Sequence, residues 1–228
     1  MNGAELATFL EELNGGASIG DTLALQLLNL AKAMVEQQRP WMILRDTDTS
    51  ITATAATNGW QTAIDLSTIA RFNRFYGDCP VKNFDGNNRT DYYRQIPLQK
   101  RLQYREAAFT FAFNEGTKQL YLNGTVNPGT LWIDHIKDSP DIDDSASWVF
   151  PSWSHTLLGF FAVGIHKGGI DYDDVNARMS DDNRATAATI LARLEIWDNA
   201  KQLAAQEQHD PSRGDSDGWR PGAININS

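Results

Sequence analysis

The stretch RPWMILRDTDTSITATAAT, residues 39–57, decides the fold, because the chain changes its period inside it. Before it, residues 21–38 place Ala24, Leu27, Leu28, Ala31, Met34 and Val35 at spacings of three and four, the signature of an amphipathic helix. Leu23, Leu25 and Leu30 widen that stripe, so the helix is expected to be covered on more than one side. Pro40 has no amide hydrogen and biases Arg39 away from helical dihedrals, so the helix stops there. After the apolar cluster Trp41-Met42-Ile43-Leu44, TSITATA at 49–55 alternates with period two and is rich in β-branched types, which predicts a strand.

Outward from this switch the two periods stay apart. Toward the N-terminus, Leu6, Phe9, Leu10 and Leu13 predict a helix over 4–13, ended by Gly15-Gly16, and Ser18 or Asp21 is the expected N-cap of the next. Toward the C-terminus the chain is strand-like to about residue 137. IDLSTIARFNRFY at 64–76 holds one or two strands, DGNN at 85–88 is a loop, and PLQKRLQYR at 97–105 is a short polar helix. The clearest hairpin is AFTFAFNEGTKQLYLNG, where Phe109, Phe111 and Phe113 alternate before Glu115-Gly116, and Leu120 and Leu122 alternate on the return. TLWIDHI at 130–136 alternates again. Helical spacing then resumes over 152–168, with Pro151 at its start and Gly168-Gly169 at its end, and over 182–208, with Ala187, Ile190, Leu194, Trp197, Ala200 and Ala204 as its stripe.

These periods predict an α+β chain: a helical bundle of two N-terminal and two C-terminal helices, an inserted antiparallel β module, and an extended C-terminal tail. The expected boundaries are 1–40 and 148–208 for the bundle, 41–147 for the β-rich module and 209–228 for the tail. With 228 residues the chain is long enough for a real core, and 41% hydrophobic with 21% charged residues is ordinary for a folded protein. The net charge of −9 disfavours adhesion to nucleic acid. A single cysteine, Cys79, allows no intrachain disulfide and fits a reducing compartment. The acidic N-terminal segment is not a signal peptide, and the most apolar run, Leu157–Ile165, is too short to span a membrane. A cytoplasmic product is expected.

The pattern contains no catalytic motif. His135, His155, His166 and His209 show no ligand spacing, and Cys79 in GDCPV has no base assigned to it. Asp138, Asp141, Asp143 and Asp144 form an acidic loop without the glycine and terminal glutamate of a calcium site, and Asp181 and Asp182 are placed to cap the last helix. Gly15, Gly16 and Gly20 follow a helix and precede no Gly-Lys-Ser/Thr, so they make no phosphate loop. No enzymatic activity, cofactor or metal is expected. FTFAF at 109–113 has the look of a base-stacking platform, but the acidic balance favours a core-facing stripe. The tail HDPSRGDSDGWRPGAININS is polar, yet it keeps Trp219, Arg220, Pro221, Ile224 and Ile226. These are types that anchor a partner or extend a sheet edge, and they are the candidate partner-binding residues.

The order of segments resembles the adaptor (head-to-tail connector) proteins of tailed bacteriophages. The carried features are LLNLAKAMV at 27–35, WMIL at 41–44, a Thr-rich strand, IDLSTIARFNRFY, YYRQIPLQKRLQY at 92–104 leading into FAFNEGTKQLYLNG, and a Trp-bearing long helix before a polar tail. IDLS lacks the Leu-Pro often found at that place in the family. The resemblance implies a structural virion protein at the head–tail neck, made in the host bacterial cytoplasm, which joins the portal to the tail during genome packaging. It also implies a homo-oligomeric ring, commonly twelve-fold. The partners so implied are the portal protein and tail or nozzle proteins, with DNA expected to pass through the channel without specific binding. Two alternatives stay open: another neck component, such as a stopper or tail terminator, or a hydrolase or carbohydrate-binding module built on the tryptophans and acidic loops.

Overall fold

The computed structural model describes residues 1–54, 63–84, 90–104, 109–123, 129–170 and 174–209. Its strands in chain order are β1 (Arg45–Asp48), β2 (Thr52–Ala53), β3 (Ile64–Asp65), β4 (Phe72–Phe75), β5 (Val81–Phe84), β6 (Thr90–Gln95), β7 (Thr110–Asn114), β8 (Gln119–Leu122) and β9 (Gly129–Lys137). The helices are α1 (Gly3–Leu13), α2 (Asp21–Gln37), α3 (Thr156–Ile165) and α4 (Asp174–His209), with short 3-10 turns at Met42–Leu44, Leu98–Tyr104 and Ser152–Ser154 and a π turn at His166–Ile170.

All nine strands belong to one sheet, ordered β1-β9-β5-β6-β7-β8-β3, with β2 and β4 also on β9. β9 is the hub. One edge takes β1 and β2, through Asp48↔Ile133 and Thr52↔Thr130; the other takes β4 and β5, through Phe75↔His135 and Lys82↔Trp132. At Gly129 a Cβ would lie 2.0 Å from the Phe84 carbonyl oxygen, so only glycine admits β5 that closely. The alternation of β7 and β8 pairs Phe111 with Leu122 and Phe113 with Leu120. In the turn between them the Asn114 side chain accepts the Gly116 amide at 3.1 Å.

The sheet curls into a half-barrel and buries its own concave face. Val81, Tyr93, Phe111, Leu120, Leu122, Leu131 and Ile133 are essentially inaccessible there. Phe72, Phe75, Phe111 and Phe113 meet edge to face, with centroids 5.0–5.6 Å apart, the preferred geometry for aromatic pairs.

The helices share a second core. Leu6 and Leu10 of α1, Leu27, Leu28, Ala31 and Val35 of α2, Leu157, Leu158, Ala162 and Val163 of α3, and Ala187 and Leu194 of α4 are buried together. Ile136 of β9 joins this cluster, so the outer face of the sheet is covered by helices at that end. Trp41 sits in it with no exposed surface. Its indole N–H donates at 2.8 Å to the Val35 carbonyl, which also accepts the Gln38 amide at 3.3 Å in the last turn of α2. Asn2 caps α1 reciprocally with Glu5, through bonds of 2.9 and 3.0 Å. Gly20, at φ +83, occupies the N-cap of α2, where Ser18 or Asp21 was expected.

The helical bundle with an inserted antiparallel β module, expected from the sequence, is therefore corrected. The nine-stranded curled sheet dominates the core, unlike that of a helical bundle, and β6 and β7 run parallel, through Arg94↔Thr110 and Gln95↔Phe111. The physical reason is closure. Local period two identifies strands, but a sheet that curls far enough buries its own face and becomes a layer rather than an appendage. Two elements also shift. Among the described residues TSITATA contributes only Thr52–Ala53, while the polar RDTD of 45–48 is a full strand. The second helix of the C-terminal half begins at Asp174 rather than 182.

Gly159 of α3 faces the Phe9 ring, and a Cβ there would lie 2.5 Å from it. Gly159→Ala is expected to cost about 1–3 kcal/mol by overpacking, read as a shift of the urea midpoint. In a Phe9→Leu background the same change is expected to cost less than half as much.

Candidate functional site

Among the described residues a groove of about 400 Å³ lies between α2 and the segment that leaves β9, bordered also by Phe72, Asn73 and Lys118. Its wall is built from one row of α2. Asn29, Lys32 and Glu36 are spaced i, i+3, i+7, so they share a helix face. Lys32 and Glu36 are only 5% and 7% exposed, and buried charges of this kind must be paired.

Each of the three is committed. The Asn29 amide exchanges hydrogen bonds with the backbone of Ile142, at 2.9 and 3.0 Å. The Lys32 ammonium donates to the carbonyls of Ser139 and Pro140, both at 3.0 Å, and to the Asp141 carboxylate at 3.2 Å, which uses all three of its N–H donors. The Glu36 carboxylate accepts from the Trp148 indole at 2.8 Å, from the Ser139 amide at 3.4 Å, and from the Ser139 hydroxyl in a short bond. With all three lysine donors used and the buried glutamate accepting three bonds, this row of α2 serves to hold residues 139–148 against the helix.

The sequence-level candidates are not brought together here. Asp138 bonds the Asn73 amide at 2.5 Å, Asp141 pairs with Lys32, and Asp143 accepts the amides of Ser145 and Ala146 at 2.9 and 2.7 Å. The bonds from Ala146 and then Ser145 hold the exposed Asp143 carboxyl below the usual carboxylate range. His135 is buried beside Phe72, with a ring nitrogen 3.0 Å from the Ile133 carbonyl. His155 is buried with Nε2 2.8 Å from the Phe150 carbonyl. Among the described residues no three His, Cys, Asp or Glu side chains are grouped to hold a metal ion. Trp219, Arg220, Pro221, Ile224 and Ile226 lie outside the described residues, as does the expected loop at 85–88.

The sequence pattern missed Lys32 and Glu36, and it also placed Met34 on the buried face, where the structure leaves it 42% exposed. The signal was present in the i+4 row Ala24, Leu28, Lys32, Glu36, which continues an apolar row into two charges. Asp198 was missed as well. It has no exposed surface, accepts the Met42 amide at 2.6 Å, pairs with Arg39 at 3.2 Å, and ties α4 to the chain crossing at residues 39–44.

Large apolar side chains do reach the surface, in separate groups. On α4, Ile196 and Leu203 are 69% and 62% exposed. On the outer face of the sheet, Trp132 and Tyr92 are 40% and 54% exposed, and both flank Lys82 in register. Phe84 packs on Trp132, with centroids 4.4 Å apart. Leu30 and Met34 form a smaller pair on α2.

No protein-family model matches this chain, and a search of curated proteins finds no match in sequence. Among the described residues no helix is long and apolar enough to cross a membrane.

Glu36→Ala strips the partner from three buried donors and is expected to cost about 2–4 kcal/mol, measured by equilibrium unfolding. Glu36→Gln, which keeps an acceptor, is expected to cost less. Because Asp143 is depressed in the folded state, its contribution is present above the unfolded-state pKa and lost as pH falls through the folded one. The stability difference between wild type and Asp143→Ala is therefore expected to be constant above about pH 5 and to shrink toward zero below the usual carboxylate range, as read from chemical denaturation at stepped pH.

Proposed function

We propose that this chain is a structural virion protein, an adaptor that joins the portal to the tail at the neck of a tailed bacteriophage and acts without catalytic turnover. The observation that carries this is the contrast between interior and surface. The two buried ionisable groups at the groove, Lys32 and Glu36, are committed to holding the fold, while bulky apolar groups are presented outward, at Ile196 and Leu203 on α4 and at Trp132 and Tyr92 on the sheet. Such a surface suits partner contact rather than turnover.

The order of sequence segments that resembles the adaptor family supports the same reading, and it does not depend on which layer organises the fold. In a ring of twelve copies, each carrying −9, the assembly would carry roughly −100, and a channel wall of that sign lets DNA slide without adhering. The tail at 209–228 is assigned to a neighbour. Ordering a polar segment costs about 1–2 kcal/mol of backbone entropy per residue, which a partner surface for Trp219, Ile224 and Ile226 would offset.

The test is co-expression with the portal of the same virion, followed by particle imaging. The full chain is expected to form a ring beneath the portal. A chain ending at Gln208 is expected to keep its helicity and fail to join. Portal particles that never acquire this chain would overturn the adaptor assignment. A ring placed at the tail tube rather than on the portal would assign the chain to a terminator, and turnover or glycan binding by the isolated chain would favour the hydrolase or carbohydrate-module alternative.

A further inference from the structure

We propose that the open end of the sheet's outer face, between Trp132 on β9 and the 3-10 turn Leu98–Tyr104, is a docking site for an acidic amphipathic helix of a partner protein. The contact is defined by this surface alone and does not depend on the adaptor reading.

The charge of this face runs against that of the molecule. The chain carries −9, yet residues 92–104, YYRQIPLQKRLQY, hold Arg94, Lys100 and Arg101 and no carboxylate. Arg94 and Lys100 are exposed. Arg101 stacks over the Tyr121 ring at 4.1 Å, which lays the turn on the outer face of β7 and β8, since Leu120 and Leu122 on either side of Tyr121 are buried on the inner one. Among the described residues of β5, β6 and β9 the outward carboxylate is Asp134, and Lys82 holds it at 2.5 Å. A docked group meets these cations before it meets the rest of the acidic surface, because exposed charges beyond roughly 8 Å are largely screened at physiological salt.

Large apolar groups stand among the cations. Trp132 and Tyr92 flank Lys82 in register, on β9, β6 and β5. Leu102, 74% exposed, and Tyr104 project from the 3-10 turn. Their exposed area is on the order of 400 Å², the size at which an apolar patch on a monomer is often functional. One face of the Trp132 ring is already taken by Phe84, with centroids 4.4 Å apart, and Leu102 is aliphatic, so the patch suits aliphatic side chains better than stacked nucleic-acid bases. Apolar anchors ringed by cations are complementary to apolar groups ringed by carboxylates.

The shape of the occupant follows from what already covers the same face. Ile136 of β9 is buried in the helical core, so helices pack on the outer side of the sheet there, and Trp132 lies open about 13 Å further along the strand. Trp132 and Tyr92 are two strand spacings apart, about 10 Å, which is the width of one α-helix. A helix seated between them continues the layer that the chain's own helices begin, with its apolar side on Trp132, Tyr92 and Leu102 and its carboxylates against Arg94 and Lys100. The acidic segment 138–144 of this chain does not supply it: Asp138, Asp141 and Asp143 are engaged with Asn73, Lys32 and the Ala146 amide in the chain's own fold. A contact of this size is at the weak, transient end of the scale and is salt-dependent.

The test titrates the full-length chain against fluorescein-labelled helical peptides of about five turns that share one Leu- and Ala-bearing face and carry Glu, Gln or Lys on the other. The Glu peptide is expected to bind with a Kd on the order of 10 μM, the Gln peptide about 10-fold more weakly, and the Lys peptide and a scrambled Glu peptide more weakly still. Arg94→Glu and Lys100→Glu, both at exposed positions and checked for unchanged circular dichroism, are each expected to weaken the Glu peptide about 10-fold, and the double reversal to bind the Lys peptide instead. Trp132→Ala is expected to weaken the Glu peptide by about 10-fold or more, and Ile196→Glu on α4 to leave it unchanged. Equal binding of the three peptides, a scrambled peptide that binds as well as the Glu peptide, a loss in Ile196→Glu as large as in Arg94→Glu, or no binding of the Glu peptide at about 1 mM would overturn the proposal. Two further results would assign the face to another occupant and overturn it as well. A chain ending at Gln208 that binds the Glu peptide more than about 10-fold tighter would show the chain's own tail on this face, and wild-type self-association in sedimentation velocity, lost in the two charge reversals, would show a second copy. The adaptor assignment is judged separately by portal binding, so a chain that joins the portal yet ignores the Glu peptide sinks only the helix-docking site.

Discussion

A buried carboxylate holds the two layers of this molecule in register. Glu36 sits near the end of α2 with almost no exposure and gathers the Trp148 indole and the Ser139 amide and hydroxyl. One turn earlier, Lys32 fixes the carbonyls of Ser139 and Pro140. Residues 138–155 carry the chain from β9 in the sheet to α3 in the helical layer, and they contain little regular structure of their own. Backbone of that kind needs partners for its polar groups, and one face of α2 supplies them. Removing any single member leaves a buried group unpaired, which costs more than the net gain of an ordinary hydrogen bond.

The chain crosses between layers a second time at residues 39–45, and that crossing is tied just as firmly. Trp41 fills the helical core and donates to the Val35 carbonyl, while Asp198 of α4 accepts the Met42 amide and neutralises Arg39. The two crossings lead into β1 and out of β9, and these strands pair with each other from Arg45↔Ile136 to Asp48↔Ile133. Both passages therefore meet at one corner of the sheet, under the C-terminal half of α2. The covered end of the sheet is fixed there, and its far end, with Trp132 and Tyr92, is left open.

The legible parts of the fold were those with local causes. The Phe111–Leu122 hairpin was readable because alternation and turn residues agree within a dozen positions, and α2 was readable because Pro40 truncates a clear stripe. β1 was not, since Arg45-Asp46-Thr47-Asp48 has no apolar alternation and is a strand only because β9 lies beside it. The parallel pairing of β6 with β7 was not legible either, because it depends on where the intervening 3-10 segment returns the chain. The same holds for the groove. Lys32 and Glu36 look like a solvated i, i+4 pair until the 139–148 segment closes over them. Asp198 likewise reads as the polar face of a helix until Met42 and Arg39 arrive from 156 and 159 residues away.

If α2 joins sheet and helices through these bonds, the two cores open together. Native-state amide exchange in rising denaturant measures this directly. The amides of Leu131 and Ile133 in β9, Leu120 and Leu122 in β8, and Ala162 and Val163 in α3 are expected to merge onto one opening free energy, equal to that of global unfolding. Separate limits for sheet and helices, with one layer exchanging while the other stays protected, would contradict the claim that the buried carboxylate and its lysine neighbour make the layers a single cooperative unit.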